Sequence, residues 1–381
     1  MCIRDRIYRE KNFIRTDLIG RLCDKFYRKN ERGFVKAKYI EVPVFDPNSF
    51  KLLWKPVDLI YRHPIDEPLL KIKLRTGREV RVTNDHSIFT IEEGRILAKK
   101  ASELKKGDFI IIPSRIPLGS KTIKEIDVWK GLKDRHPEIC LRGSFILSHT
   151  SKFPRKIRVN KELLRFLGYY IADGSLNEGK DYWKIKFDIN EKDIETIEDI
   201  KGIVRKLFGL EVKEYSKQNA RAKVLEINSK LLLLFLKDII RVGRSAKEKK
   251  IPDIVFNVPK NLQLEFLKAY IKGDYGVTVS KILKSDIQYL LLFHGIISSF
   301  SERRVKKKLK FPNHVSDVDS VVYELKSPKS HKILKSCIRP SRIHNFPPIK
   351  CFTSEKIRML EKSGYKRITP STFKYIFSPY N

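Results

Sequence analysis

A helical segment that occurs twice constrains the fold of this chain more than any other feature. Residues 164–174 read Leu-Arg-Phe-Leu-Gly-Tyr-Tyr-Ile-Ala-Asp-Gly, and residues 265–275 read Glu-Phe-Leu-Lys-Ala-Tyr-Ile-Lys-Gly-Asp-Tyr. Small residues coincide when the copies are aligned, and within each copy they lie four positions apart on one helix face. They permit close backbone contact, so we predict that the two helices pack on each other. The coinciding pairs are Gly168 with Ala269, and Ala172 with Gly273.

Both copies end in an aspartate, Asp173 in the first and Asp274 in the second. A carboxylate at a helix C-terminus opposes the helix dipole, at a cost of about 0.3–1 kcal/mol when exposed. Two carboxylates about 4 Å apart add roughly 4 kcal/mol of repulsion at an effective dielectric constant near 20. We therefore predict a compensating cation, and Mg²⁺ suits oxygen ligands and phosphate chemistry. One copy alone would equally indicate an ordinary buried helix with an acidic last residue, but the repeat with matched spacing argues against that interpretation.

The chain is strongly basic, with 80 Lys and Arg against 45 Asp and Glu, a formal net charge of +35 and a pI near 9.9. Such a charge predicts a polyanionic partner, usually nucleic acid. The basic residues are spread through apolar segments, which indicates a folded basic surface and not a disordered arm. Charge alone leaves open a ribosomal-type binder or a merely lysine-rich soluble protein. The predicted DNA contacts are Lys184, Lys186, Lys213, Arg221 and Lys223.

Cysteine usage and hydropathy exclude several classes of protein. The five cysteines form no CxxC pair, so neither a zinc site nor a disulfide framework is indicated, and a reducing cytosol fits. The longest wholly apolar stretch, Leu231 to Leu236, is far shorter than the roughly 20 residues of a membrane span. No secretory leader is visible. We expect a cytoplasmic protein with no membrane partner.

The spacing of apolar residues changes along the chain. Short strand-like runs separated by turns, from Tyr39 to the last run at Asp108 to Ile112, predict an all-β domain. A Pro- and Gly-containing stretch follows, which is either a linker or an insertion. Alternating helical and strand-like segments then predict an α+β domain, and the last segment is basic and is either DNA-contacting or incomplete. The four predicted segments are residues 7–113, 114–155, 156–326 and 327–381.

Both copies of the repeat resemble the dodecapeptide motif of LAGLIDADG (DOD-type) homing endonucleases, with Asp173 and Asp274 at the metal-binding aspartates. The resemblance implies a monomer in which one chain forms a pseudo-dimer of two αββαββα-like halves. It also implies that a saddle of strands lies on double-stranded DNA. Lys249-Lys250-Ile251-Pro252 is similar to the Lys-x-Ile-Pro block of that family. It makes Lys249 the first candidate for the catalytic lysine and Lys250 its rival; a lysine there could stabilise developing charge or orient water. A solvated member of a basic run is the alternative.

Thr83-Asn84-Asp85-His86, followed by Ser-Ile-Phe-Thr, resembles the Thr-x-x-His block of intein (Hint) splicing domains. In that family the histidine, here His86 beside Thr83, polarises and protonates the amide at the upstream splice junction, a task suited to a side chain that titrates near neutrality. A turn histidine is the alternative. Together the two resemblances imply a multi-domain, archaeal-type intein, in which a partial all-β Hint-like domain precedes the endonuclease. The host extein protein would then be a partner.

Several features depart from these families. The sequence Met-Cys-Ile-Arg-Asp-Arg at the start resembles a translated sequencing adapter and contains Cys2, and His344-Asn345 precedes Phe346 instead of Cys, Ser or Thr. We therefore expect a truncated gene whose product does not splice itself. In the second motif Tyr275 follows the aspartate where the first motif has Gly174. Because glycine there can end the helix in a left-handed conformation that strains tyrosine, we expect Asp274 to be held less well.

Two other functions remain open from the sequence. One is a catalytically inactive LAGLIDADG-derived protein that binds DNA or RNA, such as a maturase, and metal-dependent cleavage of DNA distinguishes it from the enzyme. The other is a self-processing Hint protein with no nuclease role, which leaves the repeated aspartates unexplained.

Overall fold

The structure is a computed structural model, and most of the predicted basic segment 327–381 lies outside the residues it describes. No helix within the described residues is both long enough and apolar enough to cross a bilayer. The described residues are 6–28, 31–47, 49–74, 77–92, 95–119, 121–148, 151–217, 221–311, 314–328 and 340–341.

The N-terminal region is β-rich, as the pattern of apolar residues and turns predicted, and it contains one short helix and one 3-10 turn at Ala101–Glu103. Its elements are β1 (Arg6–Glu10), β2 (Phe13–Asp17), α1 (Ile19–Asp24), β3 (Gly33–Lys36), β4 (Ile40–Asp46), β5 (Lys51–Pro56), β6 (Leu59–Arg62), β7 (Leu70–Lys73), β8 (Glu79–Val82), β9 (Ser87–Glu92) and β10 (Arg95–Lys100).

These strands form several small antiparallel sheets. One sheet has four strands in the order β2-β1-β4-β5, and three ribbons pair β3 with β6, β7 with β8, and β9 with β10. The predicted strand Asp108–Ile112 is wrong, because Ile110 forms only an isolated bridge with Thr90. Two backbone hydrogen bonds link residues 109–111 to β9, and Pro113, which has no N–H to donate, follows directly.

Residues 121–148 and 151–158 contain strands and a helix, which favours the insertion interpretation of 114–155 over the linker interpretation. The segment contains a three-stranded sheet in the order β12-β13-β14 and a β11-β15 pair, and its apolar side chains Val128, Leu132, Ile146 and Phe153 are fully buried in the main core. Its elements are β11 (Glu125–Asp127), α2 (Val128–Leu132), β12 (Cys140–Arg142), β13 (Phe145–Ser148), β14 (Ser151–Pro154) and β15 (Lys156–Arg158).

The first α+β half has the expected αββαββα order, and its antiparallel sheet runs β16-β17-β19-β18. The second helix of this half begins at Ile194 because the Asp193 side chain caps it, accepting from Thr196 N at 3.2 Å. A π-helical turn, Phe235–Ile240, continues the last helix. The elements are α3 (Lys161–Asp173), β16 (Gly174–Glu178), β17 (Trp183–Asn190), α4 (Ile194–Phe208), β18 (Lys213–Ser216), β19 (Ala222–Asn228) and α5 (Lys230–Leu234).

The second half departs from αββαββα, because only one two-residue strand separates its first two long helices. Tyr275 and Gly276 both have positive φ and turn the chain sharply, and Ser280 soon caps the next helix, which leaves no room for a second strand. The sheet order is β20-β22-β21, with β23 beside β22. The elements are α6 (Asp253–Phe256), α7 (Lys260–Asp274), β20 (Val277–Thr278), α8 (Lys281–Phe293), β21 (Ser299–Phe311), β22 (His314–Pro328) and β23 (Pro340–Ser341).

One hydrophobic core joins the N-terminal strands to the α+β region. It extends from Ile7 and Ile14 on the first hairpin to Leu325 on β22. The buried Asn257 side chain bonds the backbone of Ile14 in both directions, accepting from its N–H at 2.8 Å and donating to its carbonyl at 2.7 Å. The first hairpin therefore packs directly on the α+β region, within which α3 and α7 are in contact.

Candidate active site

The repeated helices, α3 and α7, cross where their small residues lie. A Cβ added at Gly168 would lie 2.5 Å from the carbonyl oxygen of Phe266 and 2.7 Å from the Cβ of Ala269. A Cβ at Gly273 would lie 2.6 Å from the Cβ of Ala172 and would overlap a carboxylate oxygen of Asp173. Only small side chains allow this approach, and it brings the C-terminal ends of the two helices together.

The two aspartates occupy these helix ends, and each is the last helical residue of its element. The residue that follows each aspartate has a different backbone conformation. Gly174 has φ −79° and ψ 152°, so it is extended, and the expectation of a left-handed glycine in the first motif is wrong. Space explains this glycine, since a Cβ there would lie 2.6 Å from Tyr170 O. Tyr275, by contrast, is left-handed with φ 50°.

A buried lysine lies beside both carboxylates. Lys249 is 7% exposed, and its Nζ donates a 2.7 Å hydrogen bond to Ala172 O at the C-terminal end of α3. Its charge acts on Asp173 and on Asp274. The neighbouring Lys250 is only half-buried. Of the two candidate lysines, the structure brings Lys249, the first candidate from the sequence, to the aspartates.

Burial dominates the electrostatics of this cluster. It raises the pKa of Asp173 to about 6, against the opposing effect of Lys249. Burial, followed by the charge of Asp173, raises the pKa of Asp274 to about 7, again opposed by Lys249. Burial also lowers the pKa of Lys249, which the two carboxylates partly offset. One ammonium thus stands against two buried carboxylates, and the cluster has an uncompensated negative charge when both are ionised.

The donor set at this cluster suits a hard divalent cation. Two carboxylates supply the oxygen ligands that Mg²⁺ prefers, and Mg²⁺ commonly takes one or two carboxylates with water and substrate phosphates completing its octahedron. No group of three or more His, Cys, Asp and Glu capable of holding a metal occurs among the residues that the structure describes. A cation at Asp173 and Asp274 would therefore need further ligands from outside the side chains of this set.

A lysine-rich surface covers one face of the first-half sheet, opposite its buried apolar face. Lys184 and Lys186 contact the two carboxylate oxygens of Glu226 at 3.1 and 3.2 Å, Tyr215 donates to the same carboxylate at 3.2 Å, and Lys213 lies opposite Glu226 in register. Burial acts to raise the pKa of Glu226, but the hydrogen bonds from Lys184 and Lys186 outweigh it and hold that pKa below its ordinary value.

The other two predicted contacts do not belong to this lysine surface. Lys223 lies opposite Ile189, whose side chain is in the core, and it pairs at 3.0 Å with Glu214, which also binds Lys201 on α4. It therefore faces the helix side of the sheet, because side chains alternate along a strand. Arg221 is exposed in the bend before β19.

The predicted splicing block forms a turn between β8 and β9. His86 N donates to Thr83 O at 3.2 Å, and His86 O accepts from Ala101 N at 2.8 Å. Both Thr83 and His86 are half-buried. The turn thus fixes the backbone of the Thr-x-x-His block on the β-rich region, away from the helix pair in sequence.

The sequence analysis did not single out three residues that contact these sites, namely Glu226, Ser280 and Asp286. Period-2 alternation along β19 would have placed Glu226 on the polar face and Lys223 on the apolar one. Ser280 and Asp286 hold the backbone around Lys249, and no local pattern could reveal a contact between segments about 30 residues apart.

Comparison with known sequences gives one family and several partial relatives. A sequence model described as the intein splicing domain matches residues 22–332. The DNA polymerase II large subunit of Thermococcus kodakarensis is 27% identical over 326 residues, which cover 70% of this chain and 18% of that protein. Transcription initiation factor IIB of Methanocaldococcus jannaschii is 29% identical over 297 residues, covering 75% of this chain and 37% of that protein. The chain thus spans less than two fifths of the length of these relatives.

Two kinds of solved structure overlap with parts of the chain. The transcription factor IIB Mvu mini-intein is 27% identical and covers 30% of this chain and 70% of its own, with a TM-score of 0.27. The homing endonuclease I-DmoI, crystallised with DNA and Mn, is 12% identical and covers 44% of this chain and 90% of its own, with a TM-score of 0.31.

Proposed function

This chain belongs to the intein splicing domain family, and from that premise we propose that residues 156–326 are a LAGLIDADG homing endonuclease that cuts double-stranded DNA. One observation carries the proposal: a repeated helix places Asp173 and Asp274 together at two helix ends, beside the buried ammonium of Lys249. A chain with only a structural use for this helix pair would gain nothing from burying two acids there.

The residues of the cluster have distinct roles in this proposal. Asp173 and Asp274 would hold the divalent metal, with Mg²⁺ as the simplest choice. A bound metal would supply positive charge that offsets the negative charge developing on oxygen during an in-line phosphodiester displacement. Lys249, fixed on Ala172 O, places a positive charge where the scissile phosphate gains negative charge. Lys250 stays a secondary candidate for the same role.

The lysine surface of the first-half sheet is the proposed DNA contact. Lys184, Lys186 and Lys213 face away from the core, and a duplex lying there would exchange the contacts of Lys184 and Lys186 with Glu226 for contacts with phosphates. Arg221, exposed in the bend before β19, is a further proposed contact outside this surface. Double-stranded DNA is therefore the proposed partner, and the chain acts as a monomer because both motifs are present in one polypeptide.

The N-terminal β-rich region, residues 7–113, is the proposed splicing part, with His86 beside Thr83 as the block that activates the upstream junction. Residues 114–155 form an insertion between the two parts. Since the matched relatives are much longer than this chain, the host extein protein is a second proposed partner. The basic residues after 327 belong either to DNA binding or to the remainder of the splicing part.

Cleavage of the intein-free host gene in Mg²⁺ tests the nuclease proposal. The purified chain should linearise a plasmid that carries the intein-free host gene, and EDTA should stop the reaction. Asp173→Asn, which removes the charge and keeps the shape, should lower the rate by at least about 100-fold, as removal of a charge-stabilising group does in other enzymes. If Asp173→Asn cut as fast as the parent, the site would be wrong. Tight DNA binding without any cleavage would favour the inactive binding protein.

A further inference from the structure

We propose that Ser280 and Asp286 are positioning residues for Lys249, an inference that rests on the proposed nuclease function. Ser280 is the N-cap of α8, and Asp286 lies in the second turn of that helix. Each side chain is 1% exposed. A buried carboxylate and a buried hydroxyl are thus directed at one short segment of irregular backbone.

That segment is the backbone on either side of Lys250. Residues 244–252 contain neither helix nor strand, so any buried peptide group there needs another partner. Ser280 Oγ donates to Lys249 O at 2.7 Å and at the same time accepts from Leu283 N at 3.1 Å. Asp286 Oδ2 accepts from Ile251 N at 3.0 Å. Two consecutive peptide groups are therefore fixed to α8.

These contacts matter because a lysine side chain is long and flexible. The ammonium of Lys249 is held by Ala172 O on the first motif helix, and its backbone is held by α8, which follows the second motif helix. Lys249 is thus anchored at both ends between the two halves. If α8 released the backbone, the ammonium would move relative to the scissile phosphate, and a displacement of about 1 Å can cost roughly 100-fold in rate.

Single-turnover cleavage with saturating enzyme tests this role in the full chain. Ser280→Ala should lower the rate by about 10- to 100-fold while the affinity for DNA in Ca²⁺ is unchanged, and Ser280→Thr, which keeps the hydroxyl, should restore most of the rate. Asp286→Ala should be slow, and Asp286→Asn, which keeps an acceptor oxygen, should be faster. The matched control is Ser229→Ala, another buried N-cap serine whose hydroxyl accepts from Leu232 N at 3.2 Å; its rate should stay near the parent's.

A double-mutant cycle separates positioning from a general loss of structure. In a Lys249→Met background there is no ammonium to position, so adding Ser280→Ala should slow the residual cleavage by less than about twofold. An equal slowing in both backgrounds would overturn the inference, because the serine would then act independently of the lysine.

Amide hydrogen exchange distinguishes failure of this inference from failure of the nuclease proposal. A peptide covering residues 244–252 should exchange faster in Ser280→Ala and in Asp286→Ala than in the parent, and Ser229→Ala should leave it unchanged. If the parent never cuts DNA, the proposed nuclease function is wrong. If the exchange rate of this peptide is the same in both variants as in the parent, α8 does not anchor the backbone.

Discussion

At the scale of single residues, the sign of the pKa shifts decides how the fold responds to pH. Burial raises the pKa values of Asp173 and Asp274 from 3.8 to about 6 and about 7. Between 3.8 and about 7 the folded chain therefore binds more protons at these carboxyls than the unfolded chain does. The free energy of unfolding must then fall as the pH rises through that window. These acids stabilise the fold at low pH and destabilise it above neutrality.

We expect metal-free Asp274→Asn to be more stable than the parent at pH 8, on the order of 2 kcal/mol, because the amide removes a buried charge. The difference should shrink towards pH 5, where the parent's carboxyl is protonated. Mg²⁺ should raise the melting temperature of the parent at pH 8 and not at pH 5. Thermal melts across this range, with the exposed Asp181→Asn as control, provide the measurement; a parent with pH-independent stability relative to the variant would contradict the buried site.

The residues of the site divide sharply into those the sequence could predict and those it could not. Asp173 and Asp274 were found because the repeat gives the same spacing twice. Lys249 ranked ahead of Lys250 only through the resemblance to the Lys-x-Ile-Pro block, since the two are neighbours in an irregular segment where no periodicity assigns a direction to either side chain. Ser280, which acts through the backbone of Lys249, depends on a tertiary contact that local sequence does not encode.

At the scale of elements, the crossing of α3 and α7 depends on backbone approach at Gly168. Its missing Cβ would meet backbone atoms of α7, the Phe266 carbonyl oxygen at 2.5 Å and the Tyr270 nitrogen at 3.1 Å, and neither can move like a side chain. Gly202 on α4 offers a matched contrast, because a Cβ there meets nothing within 4 Å.

We therefore expect Gly168→Ala to destabilise the fold by about 1–3 kcal/mol through overpacking and to slow cleavage as the helix ends separate. Gly202→Ala should instead stabilise it by up to about 1 kcal/mol, since alanine is the better helix former. Chemical denaturation of the two variants measures both effects. The proposed crossing would be refuted by equal stability changes in the two glycines.

Tyr275, which stands where the first motif has Gly174, lies in the turn between α7 and β20. This residue is left-handed with φ 50° and is 67% exposed, so it pays backbone strain with few contacts in return. Tyr275→Gly should stabilise the chain by about 1 kcal/mol, whereas Tyr275→Phe keeps the strain and should match the parent. If Asp274 is held less well than Asp173, the parent should give open-circular plasmid ahead of linear product, and the glycine should reduce that lag. Prompt linearisation by the parent, with no gain from glycine, would show that the turn is harmless.

Helices and strands could be predicted where the local periodicity of the sequence determines them. The predictions failed where pairing with a distant strand determines the element. The repeated helical segments located α3 and α7. The strand expected at Asp108–Ile112 failed because strand formation requires a partner along its whole length, and residues 109–111 find one only briefly on β9. For Lys223, the alternation of side chains along β19 already indicates the apolar face, and its register opposite Ile189 on β17 agrees with that face.

At the scale of the whole molecule, the β-rich region and the α+β region share a core and are linked by buried hydrogen bonds. Besides the contacts between Asn257 and Ile14, Arg15 on β2 pairs with Asp253 on α6 at 3.3 Å. Ionic contacts continue the link, since Lys73 and Lys284 both bind Glu302. Through Lys284, α8 therefore also contributes to the connection with the β-rich region. Sequence patterns gave the two regions but not this junction, which consists of single contacts between distant segments.

The net charge of +35 leads to the last prediction, which concerns DNA affinity. A basic surface that neutralises about 6–10 phosphates should lose roughly 10³–10⁵ in affinity between about 50 and 200 mM salt, because bound counterions are released. Lys184→Ala and Lys186→Ala should each reduce the slope of log affinity against log salt by about 1. Lys223→Ala, on the helix side of the same sheet and equally a loss of one charge, should leave the slope nearly unchanged. Fluorescence anisotropy with a labelled duplex in EDTA measures all four proteins without cleavage. Equal slopes for Lys186→Ala and Lys223→Ala would mean that the duplex does not lie on the lysine surface. A parent whose affinity for DNA does not change with salt would show that phosphate contacts are not the source of binding.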